Sequence, residues 1–225
     1  MPVFGLACEG PTDAVVLENI LLGYVDNLDD EEDIQQLQPQ LDATDKADTF
    51  GGWNQLFSYL KSKRFRDDVA NSQYLVLQVD TDVAVSGQLD VLLVDADNKP
   101  LDVPNIIVRI KERLIAEIEE GQEGFCQNAE NAEKIIFAIS VHSIECWLFN
   151  LHNKDRKHDG RILQGYHHLG RLLAQDRAMP KLEKTRDCYN TLSMPFYHNK
   201  KNIIGVVRAR DISFDKFVEA LPDSI

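Results

Sequence analysis

Acids stand just past the ends of three apolar runs. Val3-Phe4-Gly5-Leu6-Ala7-Cys8 leads into Glu9, then Gly10-Pro11-Thr12-Asp13. Tyr74-Leu75-Val76-Leu77-Gln78-Val79 ends in Asp80-Thr81-Asp82, and the run from Lys134 to Ile139 passes through Ser140-Val141-His142-Ser143 to reach Glu145. Like charges gathered in one place repel unless a cation lies between them, and a hard, oxygen-seeking ion such as Mg²⁺ suits carboxylates best. An ion held by few carboxylates keeps positions open for water and phosphate oxygens, which is the basis of metal-assisted phosphoryl transfer. In Asp80-Thr81-Asp82 the i, i+2 spacing sends both side chains the same way for as long as the extended geometry persists. Singly, each acid has an ordinary use: turn chemistry for Asp80 or Asp82, an ion pair for Glu9, a helix N-terminus for Glu145.

To gather these acids the runs must be neighbouring parallel strands. The stretches 3–8, 74–79 and 134–139 read as short buried strands, and 34–41 as a weak one. Pro11-Thr12-Asp13 is helix-start chemistry, with Thr12 able to cap and Val15, Val16, Ile20 and Leu21 at helical spacing up to Gly23. Further helices are expected at 53–60, at 105–120, at 163–173, at 182–192 and at 214–221. Ser143 would cap a helix that holds Glu145 in its first turn. The run Asp26 to Asp33 reads as a solvated acidic loop. Asp95 to Pro100 reads as the turn of a hairpin or insertion. Strand and helix alternate, so the expected fold is α/β, a three-layer, mostly parallel sheet with helices on both faces. Residues 1–150 would form that domain and 151–225 a basic, mainly helical extension packed on the same core. Ligands of such sheets bind outside the carboxyl ends of the strands.

Composition sets the bounds. The 225 residues suffice for one sizeable core, and 44% apolar with 27% charged residues is ordinary for a soluble globular protein. No apolar run approaches the roughly 20 residues of a membrane span, and no signal peptide is evident. Four cysteines without a CxxC pair (Cys8, Cys126, Cys146 and Cys188) suggest reduced thiols in a cytoplasmic protein. The net charge of −13 is unevenly spread: residues 1–50 hold 12 acids against one lysine, whereas 151–225 hold 14 bases against nine acids. That asymmetry leaves room for a local phosphate-binding face in an acidic chain.

The motif Glu9-Gly10-Pro11-Thr12-Asp13 at a first strand end, followed by Asp80-Thr81-Asp82 at a later one, resembles the two signatures of the Toprim fold. Topoisomerases, bacterial primases, recombination mediators and overcoming-lysogenization-defect nucleases share that fold. Ser143-Ile144-Glu145-Cys146-Trp147-Leu148 is similar to an ExWL element of small Toprim-like bacterial proteins linked to defence loci. The resemblance spans roughly residues 3–150. It implies Glu9 as catalytic acid or metal ligand, Asp80 and Asp82 as the metal-binding pair, Glu145 as a further ligand or orienting acid, and Mg²⁺ or Mn²⁺ as the ion. Asp13 matches the last acid of the first motif, as helix cap or ligand. Asp95-Ala96-Asp97 is a second DxD; the stronger strand before Asp80 favours Asp80 and Asp82.

Toprim nucleases commonly need a lysine near the scissile phosphate, and Lys200 and Lys201 are the candidates. Arg208 and Arg210, alternating along a possible strand, are candidates for contact with a nucleic-acid backbone. His167-His168 lacks a partnered metal motif, and Trp147 reads as a core anchor. The expected function is metal-dependent phosphodiester cleavage, a nuclease acting on DNA or RNA. Two alternatives stay open. One is a non-catalytic Toprim module serving a partner such as an ATPase or a defence complex; the other is hydrolysis of a small phosphate ester.

Overall fold

The computed structural model describes residues 2–28, 30–40, 52–82, 84, 90–154 and 164–225. Its centre is a sheet of four strands: β1 (Phe4–Ala7), β2 (Ile34–Gln38), β3 (Tyr74–Asp80) and β4 (Ile135–Ser140). All pairings are parallel, in the order β2-β1-β3-β4. The chain leaves β1 for one flank, returns past it to β3, and moves on to β4. The strand order therefore reverses between β1 and β3, and the crevice at their carboxyl ends is where open α/β sheets bind ligands.

The period-two pattern of the strands sorts their side chains into two cores. Phe4, Leu6, Cys8, Val76, Ile136 and Ala138 face one side, where helices α1 (Pro11–Tyr24), α7 (Ile144–His152), α8 (Gly165–Leu173), α9 (Arg186–Arg208) and α10 (Ile212–Glu219) pack. Ala7, Leu75, Leu77, Val79, Ile135 and Ile139 face the other, under α3 (Trp53–Lys61), α4 (Lys63–Asn71) and α5 (Val103–Gly121). Two short helices, α2 (Asp30–Asp33) and α6 (Ala129–Lys134), lead directly into β2 and β4. The α/β architecture with helices on both faces and a helical C-terminal region is as the strand pattern suggests. No helix among the described residues is long and apolar enough to cross a membrane.

The first core draws residues from Phe4 to Leu221. Helix α1 lies between the sheet and α9, and is buried almost all round. Asn19 donates to Asn190 Oδ1 and Ser193 Oγ, both at 2.8 Å. At Gly23 the α9 backbone comes so close that an added Cβ would stand 2.2 Å from the Phe196 carbonyl oxygen. Trp147 is fully buried, stacked on Phe217 with centroids 5.6 Å apart, and donates from Nε1 to Ser213 Oγ at 2.9 Å.

Several local expectations need correction. Thr12 is not the cap of α1: Gly10 occupies the N-cap and Asp13 reaches back to the Gly10 N–H, half of a capping box. The helix expected at 182–192 starts at Arg186 and continues through Pro195 to Arg208, with a non-helical Lys200 inside it. Arg208 is consequently in the last turn of a helix and not on a strand, because Ile204 and Val207 keep helical spacing against the core. The acidic run folds into α2 at its end, and Lys63 opens the unforeseen α4, which buries only Phe65 and Val69. The weak strand stops at Gln38; its expected end at Leu41, and the start of the 163–173 helix, lie outside the described residues.

Candidate functional site

The carboxyl ends of β1, β3 and β4, with the first turns of α1, α7 and α9, bring Glu9, Asp13, Asp80 and Glu145 to one place. Glu9 stands two residues past the end of β1. Its N–H donates to Gln78 Oε1 at 3.2 Å, and its carboxylate accepts the Asp80 N–H. Its carbonyl accepts from the N–H of Gly52 at 2.9 Å, tying the start of α3 to the same edge. Glu9 Oε2 is buried with no hydrogen-bond partner. Burial, reinforced by the Asp82 charge, pushes the Glu9 carboxyl up to about 7, against the pull of the Asp80 N–H and of Lys184.

Asp80 ends β3. Its Oδ1 accepts from Ser140 Oγ, from Gln78 Nε2 at 2.9 Å and from the Ile144 N–H at 3.0 Å, the last being the first amide of α7. The fully buried Gln78 side chain thus spans β1 and β3, holding Glu9 by its oxygen and Asp80 by its nitrogen. Burial drives the Asp80 carboxyl well above the usual range, with Asp13, Glu145 and Glu9 adding to the effect. Asp13 is raised in the same way, by burial first and then by Glu9 and Glu145. Glu145, buried in the first turn of α7, accepts the Tyr189 hydroxyl from α9 on Oε1.

The strand ends at Asp80, so the extended geometry does not carry through to Asp82. A clamp sets the turn instead. Thr81 is buried; its N–H donates to the Ser140 carbonyl at 3.1 Å, and its Oγ1 accepts the His142 N–H at 2.8 Å. The Asp82 N–H donates to the His142 carbonyl at 2.8 Å, and His142 takes a left-handed φ of 72° to allow it. Asp82 is therefore exposed at the mouth, where its charge still acts on Glu9.

The basic candidates lie elsewhere. Lys201 pairs with Asp26 at 2.8 Å, beyond the far end of α1, and the exposed Lys200 is its neighbour. Arg208 pairs with Asp215 at 2.6 Å, and Arg210 donates to the carbonyls of Asn150 and Asn153 at the end of α7. Among the described residues, a cation whose field reaches both Glu9 and Asp13 is Lys184, exposed just ahead of α9. Asp95 accepts the N–H groups of Asp97 and Lys99 in an exposed turn, so the second DxD is turn chemistry. His168 sits edge-on to Phe149 and His167 is exposed.

Among the described residues no three His, Cys, Asp or Glu side chains stand in a ready metal-ligating arrangement. The donor chemistry nevertheless fits a hard cation. The acids mutually oppose ionisation, Glu9 Oε2 is orphaned, and the bonds to Asp80 and Glu145 occupy Oδ1 and Oε1. Few carboxylates plus retained water is how Mg²⁺ is held. Comparison with protein-family models, with curated proteins and with solved structures returns no match. Gln78, Ser140, Tyr189 and Lys184 are site residues that the motifs do not name. Only Gln78 is visible beforehand, as an amide in an otherwise apolar run.

Proposed function

We propose that the protein is a metal-dependent phosphodiester-cleaving enzyme whose centre is the carboxylate cluster at the strand ends. The observation that carries the reading is the unsatisfied, buried Oε2 of Glu9 beside the strongly perturbed Asp80 and Asp13. Such groups concentrate at functional sites, since an unpaired buried oxygen is costly to keep. Asp80, Asp82 and Glu9 would hold Mg²⁺ or Mn²⁺, which supplies Lewis acidity toward a phosphate oxygen and a water of lowered pKa. The unpartnered Glu9 Oε2 would be the proton acceptor. In the hydrolysis, a water oxygen bonds to phosphorus while its proton passes to Glu9. The ester P–O bond breaks, and the leaving oxygen takes up the proton that Glu9 received. Gln78 fixes the Glu9–Asp80 spacing, the Tyr189 hydroxyl holds Glu145, and Lys184 offsets charge at the mouth.

A second reading, a non-catalytic module serving a partner protein, is favoured by the triple hydrogen bonding of Asp80, which gives that acid a structural use. One experiment separates the two. Mg²⁺ and Mn²⁺ are titrated calorimetrically into the native protein and into Asp80→Asn, and both are assayed on plasmid and on oligonucleotides. The catalytic reading expects metal binding and cleavage in the native protein and loss of both in the variant. Absence of both in the native protein sinks it and leaves the module.

A further inference from the structure

Beside the acids lies a feature that metal chemistry does not use. Tyr166, in the first turn of α8, is 39% exposed; Tyr197 is the other large ring exposed to this degree among the described residues. Lys184 Nζ stands over that ring, 5.4 Å from its centroid. The Tyr166 hydroxyl donates to the Leu182 carbonyl at 3.4 Å, which ties the ring to the segment carrying Lys184. Gly165 shows how near this is to the cluster: an added Cβ would stand 2.7 Å from Cys146 Sγ and 3.0 Å from Ser143 Oγ. The chain at 165 is thus pressed against the N-terminus of α7, where Glu145 lies. Tyr166 also acts electrostatically on Tyr189, the residue that holds Glu145. Lys184 acts on Glu9 and Asp13. The ring and the ammonium together form one rim of the carboxylate site.

We propose that Tyr166 and Lys184 form a stacking and phosphate-binding platform for an unpaired nucleotide strand, so that the substrate is single-stranded nucleic acid. The proposal rests on the phosphodiesterase reading and names its substrate class. A base offers its π-face to an aromatic ring only when it is out of a duplex, and such stacking tolerates any sequence. The base takes the face of Tyr166 away from the ammonium, while Lys184 meets the adjoining phosphate. A cation at this rim offsets the charge of Asp82, the acid exposed at the mouth, which otherwise repels the strand. An extended duplex, by contrast, asks for a broad basic track. Of the other basic candidates, Lys201 and Arg208 are engaged in ion pairs remote from this rim.

The test is fluorescence anisotropy of labelled single-stranded DNA and RNA oligonucleotides, and of a blunt duplex of the same sequence, in EDTA so that binding is read without metal or cleavage. Native protein is compared with Tyr166→Ala, Tyr166→Phe, Lys184→Gln and Asp80→Asn, with thermal melts to confirm folding. The platform predicts tighter binding of single strand than of duplex, and a loss of about tenfold or more in single-strand affinity for Tyr166→Ala. Tyr166→Phe keeps the affinity, and Lys184→Gln flattens the salt dependence by about 0.7 in log–log slope. Unchanged affinity in Tyr166→Ala, an equal loss on single strand and duplex, or no oligonucleotide binding by native protein overturns it. Cleavage assayed with added Mg²⁺ on native protein and Tyr166→Ala separates this proposal from the catalytic one. If native protein binds single strand through Tyr166 yet cleaves nothing with metal, the phosphodiesterase reading falls and the platform stands; if cleavage is robust and indifferent to Tyr166→Ala, the platform alone falls.

Discussion

Glu9 holds its proton longer than a carboxylic acid in water because burial and the Asp82 charge both oppose ionisation. Its carboxyl rises from the ordinary 4.5 to about 7, so between those values the folded protein binds protons that the unfolded chain has released. Stability contributed by this group is full at low pH and is lost as pH climbs through that window. Thermal melts without divalent metal are therefore expected to show Tm falling from pH 4.5 to 7 more steeply in the native protein than in Glu9→Gln. Added Mg²⁺ is expected to recover Tm at neutral pH and not at pH 4.5, since it binds the ionised acids. A native profile no steeper than that of Glu9→Gln would contradict the assignment. Gln78 makes a second residue-scale prediction. Gln78→Leu strips a donor from Asp80 and an acceptor from the Glu9 N–H, and is expected to lower metal affinity by about 10- to 100-fold in calorimetry. Unchanged affinity would show that the amide bridge does not position the acids.

Helices α1 and α9 set the depth of the site, because α9 brings Tyr189 to Glu145 only while it lies close along α1. Gly23 permits that approach. In Gly23→Ala the new methyl meets backbone, which cannot swing aside, and a loss of about 1–3 kcal/mol or more is expected. At roughly 2–4 °C per kcal/mol, this reads as a Tm drop of several degrees in calorimetry. An unchanged Tm would mean that the helices separate at little cost. The same packing explains what could be read from the residue order and what could not. An acid at the end of an apolar run announces its own position, since parallel strands deliver their carboxyl ends to one edge; Glu9, Asp80 and Glu145 were legible for that reason. Asp82 was half legible, because nothing in its spacing reveals that Thr81 will turn the chain outward. Tyr189 and Lys184 were not legible, because they reach the acids through contacts between helices far apart in the chain. Lys200 and Lys201 stood out as a pair. At 1.5 Å per residue, however, α9 carries them about 20 Å along its axis from its start beside the acids.

For the molecule as a whole, the two faces of the sheet are unequal. One is covered by α3, α4 and α5, all supplied before residue 122, whereas the other depends on α8, α9 and α10. Residues 1–150 expressed alone are expected to lack a cooperative melt, because α1, the inner face of β1 and Trp147 would be bared to water. A sharp two-state transition from that fragment would show that the C-terminal helices are dispensable to the fold. The uneven charge belongs to this scale as well. Acids crowd the first fifth of the chain and bases the last third, and the candidate site draws Glu9 and Asp13 from the first and Lys184 from the last.

The bond from Tyr189 to Glu145 also has a meaning in time. Its partners are separated by 44 residues, and a ribosome adding about 5–20 residues per second needs roughly 2–9 s to travel between them. During that interval the nascent chain already contains every carboxylate of the site but not the hydroxyl that holds the last of them in place. The groups that gather and hold the carboxylates are thus all in the chain only once residue 189 has been added.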